Sequence, residues 1–298
     1  MKLRKRRFLS CLSHLVVLPF LAIALTTIGY AQDTEDEYSF DFSAAPVSRY
    51  LWRGQRLTDG WSLQTAGTLG FKGFSFNVWG NLDLEAVNEG DTLLVSSNPE
   101  AGAGEYNGLQ GKFSEVDFTA GYSHAFRDIT IDVGTIIYSF PERSASLPST
   151  VEIYGGVTFD KVPLSPSATL YVDVNETGDS GDTGLYFLAG GGHTLLTGLN
   201  KLPAIDAGFS LGFVNQGFSA YYYGATDSGL HDFNVTFSAP VSLGENWSLR
   251  PFIAFSALLG DFRDYQYRPA PDLYEGTAGS PATYADSVYG GVSFDLGF

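Results

Sequence analysis

Cysteine is nearly missing from this 298-residue chain, where Cys11 is the only one. It lies in a leader-like N-terminal stretch, so disulfides, thiolate metal sites and a cysteine nucleophile are excluded from the remainder. Bases are scarce as well: 17 Lys plus Arg stand against 33 Asp plus Glu, and five of the seventeen are Lys2, Arg4, Lys5, Arg6 and Arg7. A chain this acidic lacks the electrostatic footprint of a nucleic-acid binder. Histidine occurs four times, as His14, His124, His193 and His231, which leaves little imidazole for acid–base or metal chemistry. Past residue 28 no apolar run approaches the ~20 residues that a membrane helix needs.

The five early bases precede an apolar run from Phe8 to about Ile28, and Gly29-Tyr30-Ala31 places small residues where a leader is cut. This is the pattern of a secretory signal peptide cleaved after Ala31. Residues 1–31 are therefore expected to be removed, with 32–298 forming one domain of twelve bases against thirty-three acids. Arg6-Arg7 also invites a twin-arginine reading, against which the general secretory route is favoured for a chain that crosses the inner membrane unfolded.

Mean hydropathy is +0.00, as expected where apolar and polar residues alternate. The alternation is clearest at the end of the chain, where Val288, Gly290, Val292, Phe294, Leu296 and Phe298 interleave with Tyr289, Gly291, Ser293, Asp295 and Gly297. Such period-two segments are strands with one apolar face. They recur at about 38–52, 61–71, 74–84, 113–126, 129–140, 151–159, 168–175, 184–195, 204–213, 230–239, 247–259 and 285–298. The twelve predict an all-β fold, a single antiparallel up-and-down transmembrane β-barrel with an even strand number. Phe218–Tyr223 would make a thirteenth strand and is instead assigned to a long loop. Short connections such as 72–73 and 127–128 alternate with long ones near 53–60, 87–112, 141–150, 176–183, 214–229 and 260–283. Short periplasmic turns and longer outer loops explain that rhythm. Trp52, Trp61 and Trp247 fall at strand ends, where an interfacial aromatic girdle belongs. A soluble β-sandwich uses the same alternation, but the leader, the terminal Phe and the loop asymmetry favour a Gram-negative outer-membrane barrel. Phe294, Leu296 and Phe298 would then be the signal read by the barrel-assembly machinery.

Ser48, Tyr50, Trp52, Arg53 and Gly54 form the pattern S-x-Y-x-W-R-G, followed by Trp61-Ser62-Leu63-Gln64 and by Phe71-Lys72-Gly73-Phe74 through Asn81. Over residues 47–81 the chain resembles the TorF-type porin family. The resemblance implies an outer-membrane barrel with a channel role and brings no catalytic residues.

With the apolar parity toward lipid, the other parity lines a lumen or its rim. That set contains Asp41, Asp83, Glu85, Glu115, Asp117, Asp132, Glu152, Asp173, Asp206, Asp232 and Asp295, opposed chiefly by Arg49, Arg53 and Arg250. Carboxylates beside low-dielectric walls concentrate cations. The expected function is a passive diffusion channel for small hydrophilic solutes or cations, with the lipid bilayer as its partner and no cofactor. Arg49, Arg53 and Arg250 against Asp83, Glu85, Glu115, Asp117, Asp132 and Glu152 are the constriction candidates. Arg53 reads either as a constriction residue or as a buried ion-pair anchor for Asp83 and Glu85. Twelve strands lie between filled eight-stranded barrels and open sixteen-stranded ones, so a non-conducting structural or surface-interaction barrel is the alternative.

A hydrolase is third. Ser123 and His124 are adjacent in a strand and point to opposite faces, and neither G-x-S-x-G nor H-E-x-x-H occurs. No catalytic residue is assigned, and the protein reads as a non-enzyme. The run from Asp173 through Asn175 and Thr177 to Gly178 resembles the start of a calcium loop, but Gly184 stands where a closing Glu belongs; the oxygen donors in reach are Asp173, Asn175, Asp179 and Asp182. They are weak metal candidates only.

Overall fold

The computed structural model describes residues 38–58, 60–85, 110–141, 149–177, 181–196, 203–223, 225–264 and 285–298; the expected leader lies outside them. Twelve strands form the wall: β1 Tyr38–Val47, β2 Ser62–Phe71, β3 Phe74–Asp83, β4 Phe113–Phe126, β5 Ile129–Ser139, β6 Thr150–Phe159, β7 Ser167–Thr177, β8 Thr183–Leu196, β9 Ile205–Val214, β10 Gly229–Ser238, β11 Trp247–Leu258 and β12 Asp286–Gly297. Each pairs antiparallel with its chain neighbours. β1 closes the ring on β12 through Asp41 opposite Gly297, Ala44 opposite Phe294 and Val47 opposite Gly291. Phe298 and Phe40 extend the seam with two backbone hydrogen bonds, 2.9 and 3.1 Å. Both ends of the described chain thus sit at the same end of the barrel, and closure leaves no strand edge unpaired in the ring.

Local chemistry explains the turns. Lys72 and Gly73 take φ of 48° and 85°, the left-handed pair of a two-residue hairpin whose twist matches its strands. The strand ends joined through 72–73, 127–128, 160–166, 197–204 and 239–246 lie at this turn end, and those joined through 48–61, 84–112, 140–149, 178–182, 215–228 and 259–285 lie at the opposite, loop end, where only 178–182 is short.

Side-chain alternation sorts the wall cleanly. Phe40, Leu69, Phe76, Val78, Phe118, Ile131, Val133, Ile153, Leu170, Phe187, Phe209, Phe237, Phe255 and Val288 are exposed on the outside. An apolar exterior on every strand is what a membrane barrel presents to lipid. Among the described residues no helix is long and apolar enough to cross a membrane. Val133 lies halfway along β5 and is exposed; Val133→Arg at mid-depth is expected to cost about 2–4 kcal/mol. Urea unfolding of the refolded barrel in lipid reads that loss.

Three segments depart from the expected pattern. Strand one does not run to Trp52: the wall ends at Val47 and the chain bends inward, forming a small hairpin of Leu51–Trp52 against Gln55–Arg56 inside the barrel. Alternation continues through the bend because the hairpin is itself extended. Phe218–Tyr223 belongs to a helix, α1 Gln216–Tyr223. Asn215 caps it, its Oδ1 accepting from Phe218 N at 3.0 Å and Leu185 N at 2.8 Å, which supplies one of the orphan donors of a helix start. Finally, a 3₁₀ turn at Gly260–Arg263 follows β11.

Candidate functional site: a closed lumen

Ser48 starts the inward turn on the seam strand. Its amide donates to Gly290 O at 2.9 Å, and its hydroxyl accepts from Gly290 N at 3.1 Å. Tyr50 then holds the base of the hairpin: its carbonyl accepts from Leu57 N and Thr58 N, and its hydroxyl donates to Glu115 Oε2 at 2.7 Å. Arg53 and Gly54 form the tip, both at positive φ, 47° and 76°. β6 and β7 stand diametrically opposite the β12/β1 seam, and Arg53 reaches them across the whole lumen.

There it meets Glu152 of β6 in a bidentate pair, Nη1 to Oε1 at 2.7 Å and Nη2 to Oε2 at 2.6 Å. The two side chains are 1% and 2% exposed. Tyr138 Oη donates to the same Glu152 Oε2 at 2.8 Å. The guanidinium carbon lies 4.3 Å from the Tyr186 ring centroid, 4.4 Å from Trp52, 5.1 Å from Tyr171 and 5.6 Å from Phe218. Planar charge held among ring faces and forked onto a carboxylate is the geometry that suits arginine and not lysine.

Around this centre the loop-end half of the lumen is packed. Tyr50, Trp52, Trp79, Tyr186, Phe218, Tyr222, Tyr223, Leu258 and Phe262 form one buried cluster. A bulge between β9 and β10 pairs Gly212 with Asp232 and Phe213 with Leu230. His231 is the extra residue, and both His231 and Asp232 are fully buried. Asp232 Oδ2 accepts from Tyr186 Oη at 3.0 Å and faces His231 Nδ1 at 2.8 Å, while His231 Nε2 meets Tyr223 Oη at 2.7 Å. The network ties α1 to the wall.

The turn-end half is different. It contains a cavity of about 280 Å³ lined by Asp41, Ser43, Thr68, Ser248, Arg250 and Asp295, among others. Arg250 Nε lies 3.5 Å from Asp295 Oδ2, and Ser293 Oγ donates to Asp295 Oδ1 at 2.6 Å.

The expected site residues are therefore divided. Arg53 and Glu152 meet, with Glu115 tied to the hairpin base. The partners expected for Arg53 on strand three are not its partners: Asp83 accepts from Asn81 Nδ2 at 2.8 Å and Ser62 Oγ at 3.4 Å, and Glu85 is exposed beyond the end of β3. The hairpin overshoots that side of the barrel. Asp117 is buried in the lumen, Asp132 is half-buried nearer the turn end, and Arg49 donates to Val288 O at 2.5 Å on the seam side. Arg250 belongs to the turn-end cavity, far along the wall from Arg53. Trp61 and Trp247 are exposed at strand ends, but Trp52 is buried in the lumen because its strand left the wall. On the closing strand Phe298 is exposed, while Phe294 and Leu296 share the apolar parity of Val288 and Val292 and are half-buried, Leu296 also bordering the turn-end cavity. His124 and His193 face outward.

The metal candidates do not assemble. Asp173 faces the lumen and accepts from Thr150 Oγ1 at 2.8 Å and from Asn175 N at 3.0 Å. Asp182 is exposed, and Asp179 lies outside the described residues. No group of three or more His, Cys, Asp or Glu that could hold a metal ion occurs among the described residues.

The ring cage of Tyr171, Tyr186 and Phe218 and the bulge at His231 were not expected from the sequence. One signal was available: Tyr138, Tyr154, Tyr171 and Tyr186 share the inward parity of the carboxylates, and large rings on that parity fill a lumen.

No protein-family model and no curated protein sequence matches the chain. Its fold is similar to those of solved outer-membrane barrels at very low identity. A KdgM porin shares 12% identity over 87% of this chain and 99% of that one, with a TM-score of 0.44. The NanC porin shares 10% over 86% and 98%, with a TM-score of 0.48. The COG4313 outer membrane channel from Pseudomonas putida F1 shares 9% over 91% and 98%, with a TM-score of 0.46.

Proposed function

We propose that this protein is a porin-like channel of the bacterial outer membrane, passing small hydrophilic solutes with a preference for cations. One observation carries the reading: a closed twelve-stranded ring with a lipid-type exterior encloses an interior rich in carboxylates, from Asp41 and Asp295 at the turn end to Asp173 and Asp232 at the loop end. Field lines focused between low-dielectric walls favour cation entry. In this reading the hairpin at 51–56, α1 and the 3₁₀ turn are the gate, and transport needs no cofactor. Export by a cleaved leader and recognition of Phe294, Leu296 and Phe298 by the assembly machinery belong to the same proposal, as does the absence of enzymatic activity.

The buried pair and the ring cluster favour a second reading, in which the plug is permanent and the barrel is structural or meets a surface partner. Planar-bilayer recording of the refolded protein separates the two. Cation-selective steps, with the sign taken from the reversal potential across a salt gradient, are the expected result. Silence from a heat-modifiable, folded wild type and from variants with the hairpin disrupted would leave only the structural reading.

A further inference from the structure

The pocket around Arg53 is built almost entirely by residues that do not belong to the hairpin. Glu152 and Tyr138 come from β6 and β5, Tyr171 and Tyr186 from β7 and β8, and Phe218 from α1. Only Trp52, stacked at 4.4 Å, travels with Arg53. Recognition is confined to the fork of the guanidinium: Nη1 and Nη2 bond Glu152, while Nε has no hydrogen-bond partner among the described residues. The wall thus reads the part of the side chain that any monosubstituted guanidine carries and ignores its link to the backbone. Three rings within 5.6 Å supply the π faces, and a desolvated carboxylate demands a cation opposite it.

We propose that Glu152, Tyr138, Tyr171 and Tyr186 of the wall, with Phe218 of α1, form a guanidinium-binding site in the lumen. In the described state the chain's own Arg53 fills it, and a guanidinium-bearing solute takes it when the hairpin withdraws. Arg53 is then an internal stand-in for the ligand, and closure and solute recognition compete for one carboxylate. A primary ammonium is a poor substitute, because it offers a point charge without a planar fork. Passage of that solute rests on the channel reading above; its binding does not.

The test uses the full refolded barrel carrying Arg53→Ala, with methylguanidinium chloride as probe and methylammonium and sodium chloride at equal ionic strength as controls. The thermal midpoint, read by heat-modifiable gel mobility, is expected to fall in R53A and to recover with methylguanidinium. Methylammonium should need about tenfold more, the worth of one lost charge-assisted hydrogen bond. Wild type, whose site is filled, and R53A/E152Q, which lacks the carboxylate, are expected to respond to neither. Equal responses of R53A to the two cations, or an undiminished response in R53A/E152Q, overturn the site. If R53A does not refold unaided, refolding yield against cation becomes the readout, and equal yields overturn it likewise. In bilayers methylguanidinium is expected to reduce the R53A current selectively. Thermal rescue with a silent bilayer supports the site while removing the channel reading.

Discussion

Glu152→Gln and Arg53→Ala are each expected to destabilise the barrel by about 3–5 kcal/mol, whereas the double variant R53A/E152Q loses much less than the sum. The asymmetry follows from burial. With side chains 1% and 2% exposed, neither ion is reached by bulk water, so removing one partner strands the other in a low-dielectric lumen. Among the described residues, Glu152 without Arg53 keeps only the Tyr138 hydroxyl as a side-chain donor at 2.8 Å, and Arg53 without a carboxylate keeps its rings but no acceptor. Removing both charges abolishes the desolvation cost together with the attraction, so the pair itself contributes far less than either single variant suggests. Unfolding by urea checks this, since a guanidinium denaturant would compete for the same pocket. Losses that add within about 0.5 kcal/mol would show that the two residues are energetically independent and that the hairpin is held elsewhere.

How far this arrangement could be read from the chain differs between its two faces. Outward residues obey one rule along every strand, because each must meet lipid, and Leu69, Val78, Ile131 and Val288 follow it whatever their neighbours do. The number of strands, and the shared end of the start of β1 and the close of β12, were therefore legible. Inward residues answer to partners far away in sequence. Arg53 and Glu152 are 99 residues apart, and nothing local at Ser48 marks the point where an extended chain leaves the wall for the lumen. Trp52 keeps the parity of a strand residue while sitting in a different environment. At 216–223 the segment Gln-Gly-Phe-Ser-Ala-Tyr-Tyr-Tyr offers apolar residues at both helical and strand spacing. The choice falls to Asn215, whose amide caps the helix, and to the lumen that receives Phe218. His231 escapes alternation because a bulge inserts it, and a single-residue register shift moves a side chain to the other face.

Gly54→Ala is expected to expel the hairpin and open the loop end, raising single-channel conductance well above that of the wild type while the wall stays folded. Two effects act at this position. Its φ of +76° is left-handed backbone, which costs a non-glycine residue roughly 1–2 kcal/mol. A methyl group there would also lie 2.6 Å from Asp232 Cβ and 2.8 Å from Leu258 Cδ2, and overpacking of this kind costs about 1–3 kcal/mol more. Neither neighbour can retreat: Asp232 is fixed by Tyr186, His231 and Asn234, and Leu258 is a fully buried wall residue. The hairpin yields instead, because it hangs on the ring through Ser48, Tyr50 and the Arg53–Glu152 pair, whereas each wall strand is paired on both sides. Gly111→Ala is the control, with nearly the same φ of +75° and nothing within 4 Å of the added methyl, so it carries the backbone strain without the collision. Larger conductance steps in G54A but not in G111A, with heat-modifiability kept in both, would identify the hairpin as the barrier to flow. Equal conductance in the two, with the stability loss confined to G54A, would show that closure does not depend on the hairpin and would move the barrier to α1 and Phe262.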